Sequence, residues 1–112
     1  MRAAPLLLLT VAACFAPAAY AGEAQARYEA GIAAARAGDH EGATSQLLAA
    51  VDEGGRHPAV YHALGNAFYR QDDLGRAVAA WRRAAALAPR DGDIAANLQR
   101  ARRESVDRLE ST

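Results

Sequence analysis

The chain opens on an apolar run, Leu6-Leu7-Leu8-Leu9-Thr10-Val11-Ala12-Ala13, which has no polar face. From residue 23 onward the pattern changes. Apolar positions recur every three or four residues with charged ones between them, the period of amphipathic helices. The last segment has Ile94, Leu98, Ala101, Val106 and Leu109 as its apolar set, with Arg100, Arg102, Arg103, Glu104, Asp107 and Arg108 as the polar remainder. Turn-forming clusters fall at Gly38-Asp39, Gly54-Gly55-Arg56-His57, Gln71-Asp72-Asp73 and Ala88-Pro89-Arg90. Together they predict five helices, over 23–37, 40–53, 58–71, 74–87 and 91–109. Asp39 and Asp73 each precede a helical run and can cap it. Pro58 suits a first helical turn, where its missing N–H has no helical partner, and Pro89 can end a helix but not continue one.

The opening run reads as an address. Met1-Arg2 is a short positive start, Pro17 closes the apolar stretch, and Ala19-Tyr20-Ala21 is a small-x-small cleavage signal before Gly22-Glu23. That is the layout of a secretory signal peptide over 1–21. The stretch is shorter than the roughly 20 residues a membrane-spanning helix needs. Val11-Ala12-Ala13-Cys14 also resembles a bacterial lipobox, in which Cys14 would be lipidated and begin the mature chain. Cleavage after Ala21 is the favoured expectation, and lipidation at Cys14 is the alternative. Residues 22–112 hold no Cys and no second apolar stretch. The expected location is therefore periplasmic or secreted in a bacterium, with no membrane span in the mature chain and a lipid anchor as the alternative.

Composition narrows the class. With 112 residues, one domain is the ceiling. Alanine fills 31 positions and aromatics only 6%, so the core must be built from Ala, Leu and Val. Ala is the best helix former and a poor strand former, which points to an all-α fold with closely approaching helices. All 13 basic residues are Arg, balanced by 13 acids. Zero net charge argues against a nucleic-acid partner, which calls for a basic surplus.

Sliding the chain by 34 residues aligns Gly31 with Gly65, Ala43 with Ala77, Leu47 with Trp81 and Ala50 with Ala84. The copy at 58–91 reads Tyr61, Leu64-Gly65, Phe68, Ala77, Trp81, Ala84, Pro89, and so resembles a tetratricopeptide repeat. The copy at 24–57 keeps Gly31, Gly38, Ala43, Leu47 and Ala50 but departs at Arg27, Ala34 and Gly55. The resemblance implies a short α-solenoid of two helix-turn-helix repeats plus a capping helix at 91–109, whose polar outer face ends the stack. Gly65 with Ala84, and Gly31 with Ala50, are small pairs where helices must approach closely. Glu104 and Arg108 have the spacing of a surface ion pair. A narrower likeness lies in Leu64-Gly65-Asn66-Ala67-Phe68-Tyr69-Arg70, Asp73-Leu74-Gly75-Arg76-Ala77-Val78 and Asn97-Leu98 with Ala101-Arg102. These runs resemble the repeat region of BatE-like bacterial aerotolerance-operon proteins.

No catalytic constellation stands out. His40, His57 and His62 lack a metal-binding spacing, Ser45, Ser105 and Ser111 lie on no nucleophile elbow, and Asp72-Asp73 read as turn residues. Neither a cofactor nor a metal is expected, and the chain is not expected to be an enzyme. The family resemblance instead implies a concave groove lined by the first helix of each unit, which takes an extended peptide or a partner helix. It places Tyr28, Ile32 and Ala35 there from unit one, His62, Asn66, Tyr69 and Arg70 from unit two, and Asp93, Asn97 and Arg100 from the cap. In the family's carboxylate-clamp members, two Asn residues in successive units hold a peptide backbone and its terminal carboxylate. Asn66 and Asn97 fall at those positions, with His62 where the clamp has Lys. One Asn amide can donate and accept at once, which suits a peptide backbone. The alternative is that both amides satisfy local groups, such as the start of the last helix for Asn97. The expected function is an adaptor for a protein or peptide partner. The alternative is a structural subunit that stacks on its own copies or docks in a larger envelope assembly.

Overall fold

A computed structural model describes residues 22–111. The expected leader at 1–21, its expected cleavage site and Cys14 lie outside the described residues. Five α-helices follow one another: α1 Glu23–Arg36, α2 His40–Asp52, α3 Pro58–Arg70, α4 Leu74–Leu87 and α5 Gly92–Glu110. Among the described residues there is no strand, so the all-α expectation holds.

Local chemistry sets the boundaries. The Asp39 carboxylate accepts from the Gly42 amide at 2.9 Å and the Asp73 carboxylate from the Arg76 amide at 3.1 Å, so both predicted caps form. Asp91 caps α5 by accepting from Asp93 at 2.9 Å and Ile94 at 3.2 Å. Asn97 lies well inside α5 and takes no part in capping it. Pro58 opens α3 as its first residue. The turn after α1 needs one left-handed residue and uses Gly38, at φ 81°. The equivalent turn after α3 puts Asp72 in the same region, at φ 59°. Asp tolerates that conformation better than most side chains.

The α1–α2 and α3–α4 pairs are built alike. A Cβ on Gly65 would stand 2.8 Å from Trp81 Cγ, and nearer still to two other atoms of the indole. A Cβ on Gly31 would stand 2.7 Å from Leu47 Cγ. Each glycine therefore leaves the space that the large side chain of the opposite helix fills. The small-pair expectation is corrected here, because the nearest atoms opposite each glycine belong to Trp81 and Leu47, not to Ala84 and Ala50. Trp81 is 0% exposed and sits in one core cluster with Leu47, Val60, Leu64, Phe68 and Ile94. Side chains of that size are each worth several kcal/mol, about 3–5 for truncating a buried Trp to Ala.

The cap helix differs from its sequence pattern. Ile94 and Ala101 are buried and Leu98 is half-buried, but Val106 is 51% and Leu109 77% exposed. The cause is length. With 19 residues α5 is about 28 Å long, whereas the 14 residues of α4 span about 21 Å. Hydrophobic periodicity gives the direction a side chain faces but not where the neighbouring helix stops. Nor do Glu104 and Arg108 pair with each other. Glu104 accepts from the Tyr69 hydroxyl at 2.5 Å, and Arg108 donates to Asp72 at 2.7 Å. Both contacts fasten the outer turns of α5 to the end of α3 and the turn that follows it.

Candidate functional site

The first helix of each pair and the cap helix bound an open groove of about 710 Å³. On α1, the i,i+3,i+4 set Ile32, Ala35 and Arg36 faces it. His62, Asn66, Tyr69 and Arg70 do the same on α3, and Asp93, Asn97 and Arg100 on α5. Seven of the eight residues singled out as the partner-binding set, Ile32, His62, Asn66, Tyr69, Arg70, Asn97 and Arg100, line this one space. Tyr28 does not, because its ring packs half-buried against the core cluster. The sequence reading missed Arg36 and passed over His40. Arg36 carried a signal, since it lies one helical turn after Ile32 and 34 residues before Arg70. His40 reaches the groove from the first position of α2, a placement set by the turn and not by helical periodicity.

A ladder of side-chain hydrogen bonds runs across the groove wall. Trp81 Nε1 donates to Asn66 Oδ1 at 3.2 Å. Asn97 Nδ2 donates to the same Asn66 oxygen at 3.3 Å and lies 3.0 Å from His62 Nε2. Arg100 donates to Asn97 Oδ1 at 3.2 Å, and its guanidinium lies over the Tyr69 ring, 4.9 Å from the centroid. Tyr69 in turn tilts against Trp81 with ring centroids 5.7 Å apart. The two asparagines therefore satisfy neighbouring side chains, and neither serves a backbone group.

Tyr69 closes the far end of the site. Its hydrogen bond to Glu104 holds the phenol above its ordinary pKa, because the bond stabilises the protonated form. Desolvation and the Glu104 charge push the same way, and Arg100 and Arg108 oppose them. Among the described residues no three His, Cys, Asp or Glu side chains gather as a metal site. No described helix is long and apolar enough to cross a membrane.

Comparison with known proteins meets this geometry at the second helix pair. Residues 58–91, which contain α3 and α4, match the tetratricopeptide repeat family model. No curated protein matches the chain. Residues 58–91 are thus a tetratricopeptide repeat, set among five described helices of a short all-α solenoid, and a repeat of this kind suggests a protein–protein interaction module.

Proposed function

We propose that the chain is a non-enzymatic adaptor that holds an extended segment of a protein partner in the groove between α1, α3 and α5. The observation that carries this reading is the groove's lining. It joins an apolar floor, Ile32, Ala35, Ala63 and Ala67, to polar groups that converge from three helices. Mixed linings of this kind bury a ligand's apolar parts while fixing its orientation. The leader pattern at 1–21 supports a periplasmic or secreted setting, with Cys14 as a lipid anchor in the alternative.

Affinity capture with residues 22–112 tests the groove. Ile32→Glu puts a charge on the floor, and Leu48→Glu puts one on α2, where Leu48 is already 46% exposed and outside the groove. The partner should be lost from the first variant and kept by the second, with both melting like the parent chain. Equal capture by both would move the binding surface elsewhere.

A second reading has one observation in its favour. Val106 and Leu109, three residues apart, leave an apolar strip exposed on α5, which would suit a subunit that stacks end to end. Sedimentation equilibrium separates the two readings: a monomer across the micromolar range leaves the adaptor alone.

A further inference from the structure

We infer that the groove selects an acidic, extended segment of its partner, read through side-chain carboxylates spaced about three residues apart. This rests on the groove being the binding surface, and it goes further by naming the chemistry of the occupant.

The argument is an inventory of which hydrogen-bonding atoms remain unused. Asn97 spends both amide hydrogens, on Asn66 Oδ1 and His62 Nε2, and its oxygen takes Arg100. Asn66 Oδ1 receives two donors, from Trp81 and Asn97, which fill its two lone pairs. What Asn66 still offers is its NH₂. His62 Nε2 faces an amide donor, so it is the acceptor nitrogen, and the ring hydrogen sits on Nδ1. The free side of that imidazole is therefore a donor too. Arg100 has one N–H engaged and the others open. Arg36 and Arg70 line the groove with no ion pair among the described residues. Among the lining residues the one carboxylate is Asp93, on the exposed first turn of α5.

A wall of this kind favours one sort of ligand atom. The acceptors its asparagines and acids leave to a peptide N–H are the second lone pair of Asn97 Oδ1 and the Asp93 carboxylate, whereas a carbonyl or carboxylate oxygen meets donors along its length. The charge points the same way. Three guanidinium groups stand against one carboxylate in the groove, although the whole chain is neutral. The guanidiniums come one from each of α1, α3 and α5. A single chain-terminal carboxylate is one anion at one point, whereas the three guanidiniums are spread over three helices. Packed helix axes lie about 8–10 Å apart, and an extended chain rises about 3.3 Å per residue. An acid about every third residue therefore matches the spacing of the helices that carry the cations, and bidentate carboxylate pairing is what guanidinium geometry suits.

The test uses residues 22–112 and synthetic peptides followed by fluorescence anisotropy at low and physiological salt. The probe is a fluorescein-labelled, C-terminally amidated Ser/Gly peptide with Glu at every third position. Controls are its Gln counterpart, a neutral peptide with a free C-terminus, and an oligothymidylate of similar length. The acidic peptide should bind about tenfold or more tightly than the Gln peptide and weaken with salt. Arg36→Ser and Arg70→Ser should each cost about two- to fivefold, the scale of a half-exposed ion pair. Arg102→Ser removes the same charge from an exposed site outside the groove and should change nothing. Equal binding of the Gln peptide, a requirement for the free C-terminus, tighter binding of the oligonucleotide, or an equal loss in Arg102→Ser would each overturn the inference. If the Gln peptide binds equally and Ile32→Glu abolishes both, the groove survives and only its acidic preference falls. If no peptide binds, the inference is overturned, and partner capture by the Ile32→Glu chain shows whether the groove reading falls with it.

Discussion

Asn66 Oδ1 accepts a hydrogen bond from the indole of Trp81 at 3.2 Å, so an exposed groove residue is bonded to the largest side chain of the core. A residue that only met a ligand could be truncated without touching stability. Asn66→Ala should instead lower stability by about 0.5–1.5 kcal/mol, the net worth of one such bond. Paired thermal melts followed by circular dichroism read this directly. An unchanged melting temperature would mean that the indole N–H has another partner in solution.

The two glycines that admit large side chains should respond unequally to a methyl group. Gly→Ala inside a helix gains about 0.8–1.0 kcal/mol from propensity alone. Overpacking a filled interface costs about 1–3 kcal/mol. Gly65 faces a rigid indole from 2.8 Å, whereas Gly31 faces the rotatable side chain of Leu47. Gly65→Ala should therefore show a lower urea midpoint than the parent, and Gly31→Ala a smaller loss. A Gly65→Ala chain as stable as the parent would place Trp81 differently.

The Tyr69–Glu104 contact should fade in alkali. The folded phenol ionises above its ordinary value, so between the unfolded and folded values the native chain holds the extra proton. Stability then falls as pH rises through that window, which opens near pH 10 where an unperturbed tyrosine ionises. The contribution is complete below the window. Urea midpoints of the parent and of Tyr69→Phe should differ at pH 8, and the gap should shrink as pH rises above about 10. A gap that widened with pH would reverse the sign and refute the contact.

Expressed in a bacterium with residues 1–21 in place, the chain should be recovered with Gly22 as its first residue. Intact mass spectrometry distinguishes this from the alternative. A diacylglycerol adduct on a chain beginning at Cys14 would establish the lipoprotein in its place.

Much of this architecture was legible in the sequence because punctuation and core coincide. Gly38-Asp39, Pro58 and Asp73 mark helix ends by local backbone chemistry, and every predicted boundary lies within one residue of the observed one. The 34-residue register aligned Gly31 with Gly65 and Leu47 with Trp81, but which side chain faces each glycine follows from helix angles and was seen only in the structure. What stayed hidden depends on those angles. Tyr69 meets Glu104 across 35 residues and Arg108 meets Asp72 across 36, and no periodicity encodes either contact. The groove face of α3 and α5 followed from the tetratricopeptide resemblance, but the direction of its hydrogen bonds did not. An Asn in a sequence is both donor and acceptor. Only its neighbours, here Trp81, His62 and Arg100, decide which half is left for a ligand.

The chain contains one tryptophan. Trp81 is 0% exposed, bonded to Asn66, and 5.7 Å from the ring over which Arg100 lies. Its emission therefore comes from a single dry site one bond away from the groove, with Tyr69 close enough to pass it excitation energy. A ligand that pulls on Asn66 or lifts Arg100 from Tyr69 changes the field around the only indole, so the wavelength and yield of its light report occupancy. The protein carries its own optical gauge, and its groove can be titrated without a label.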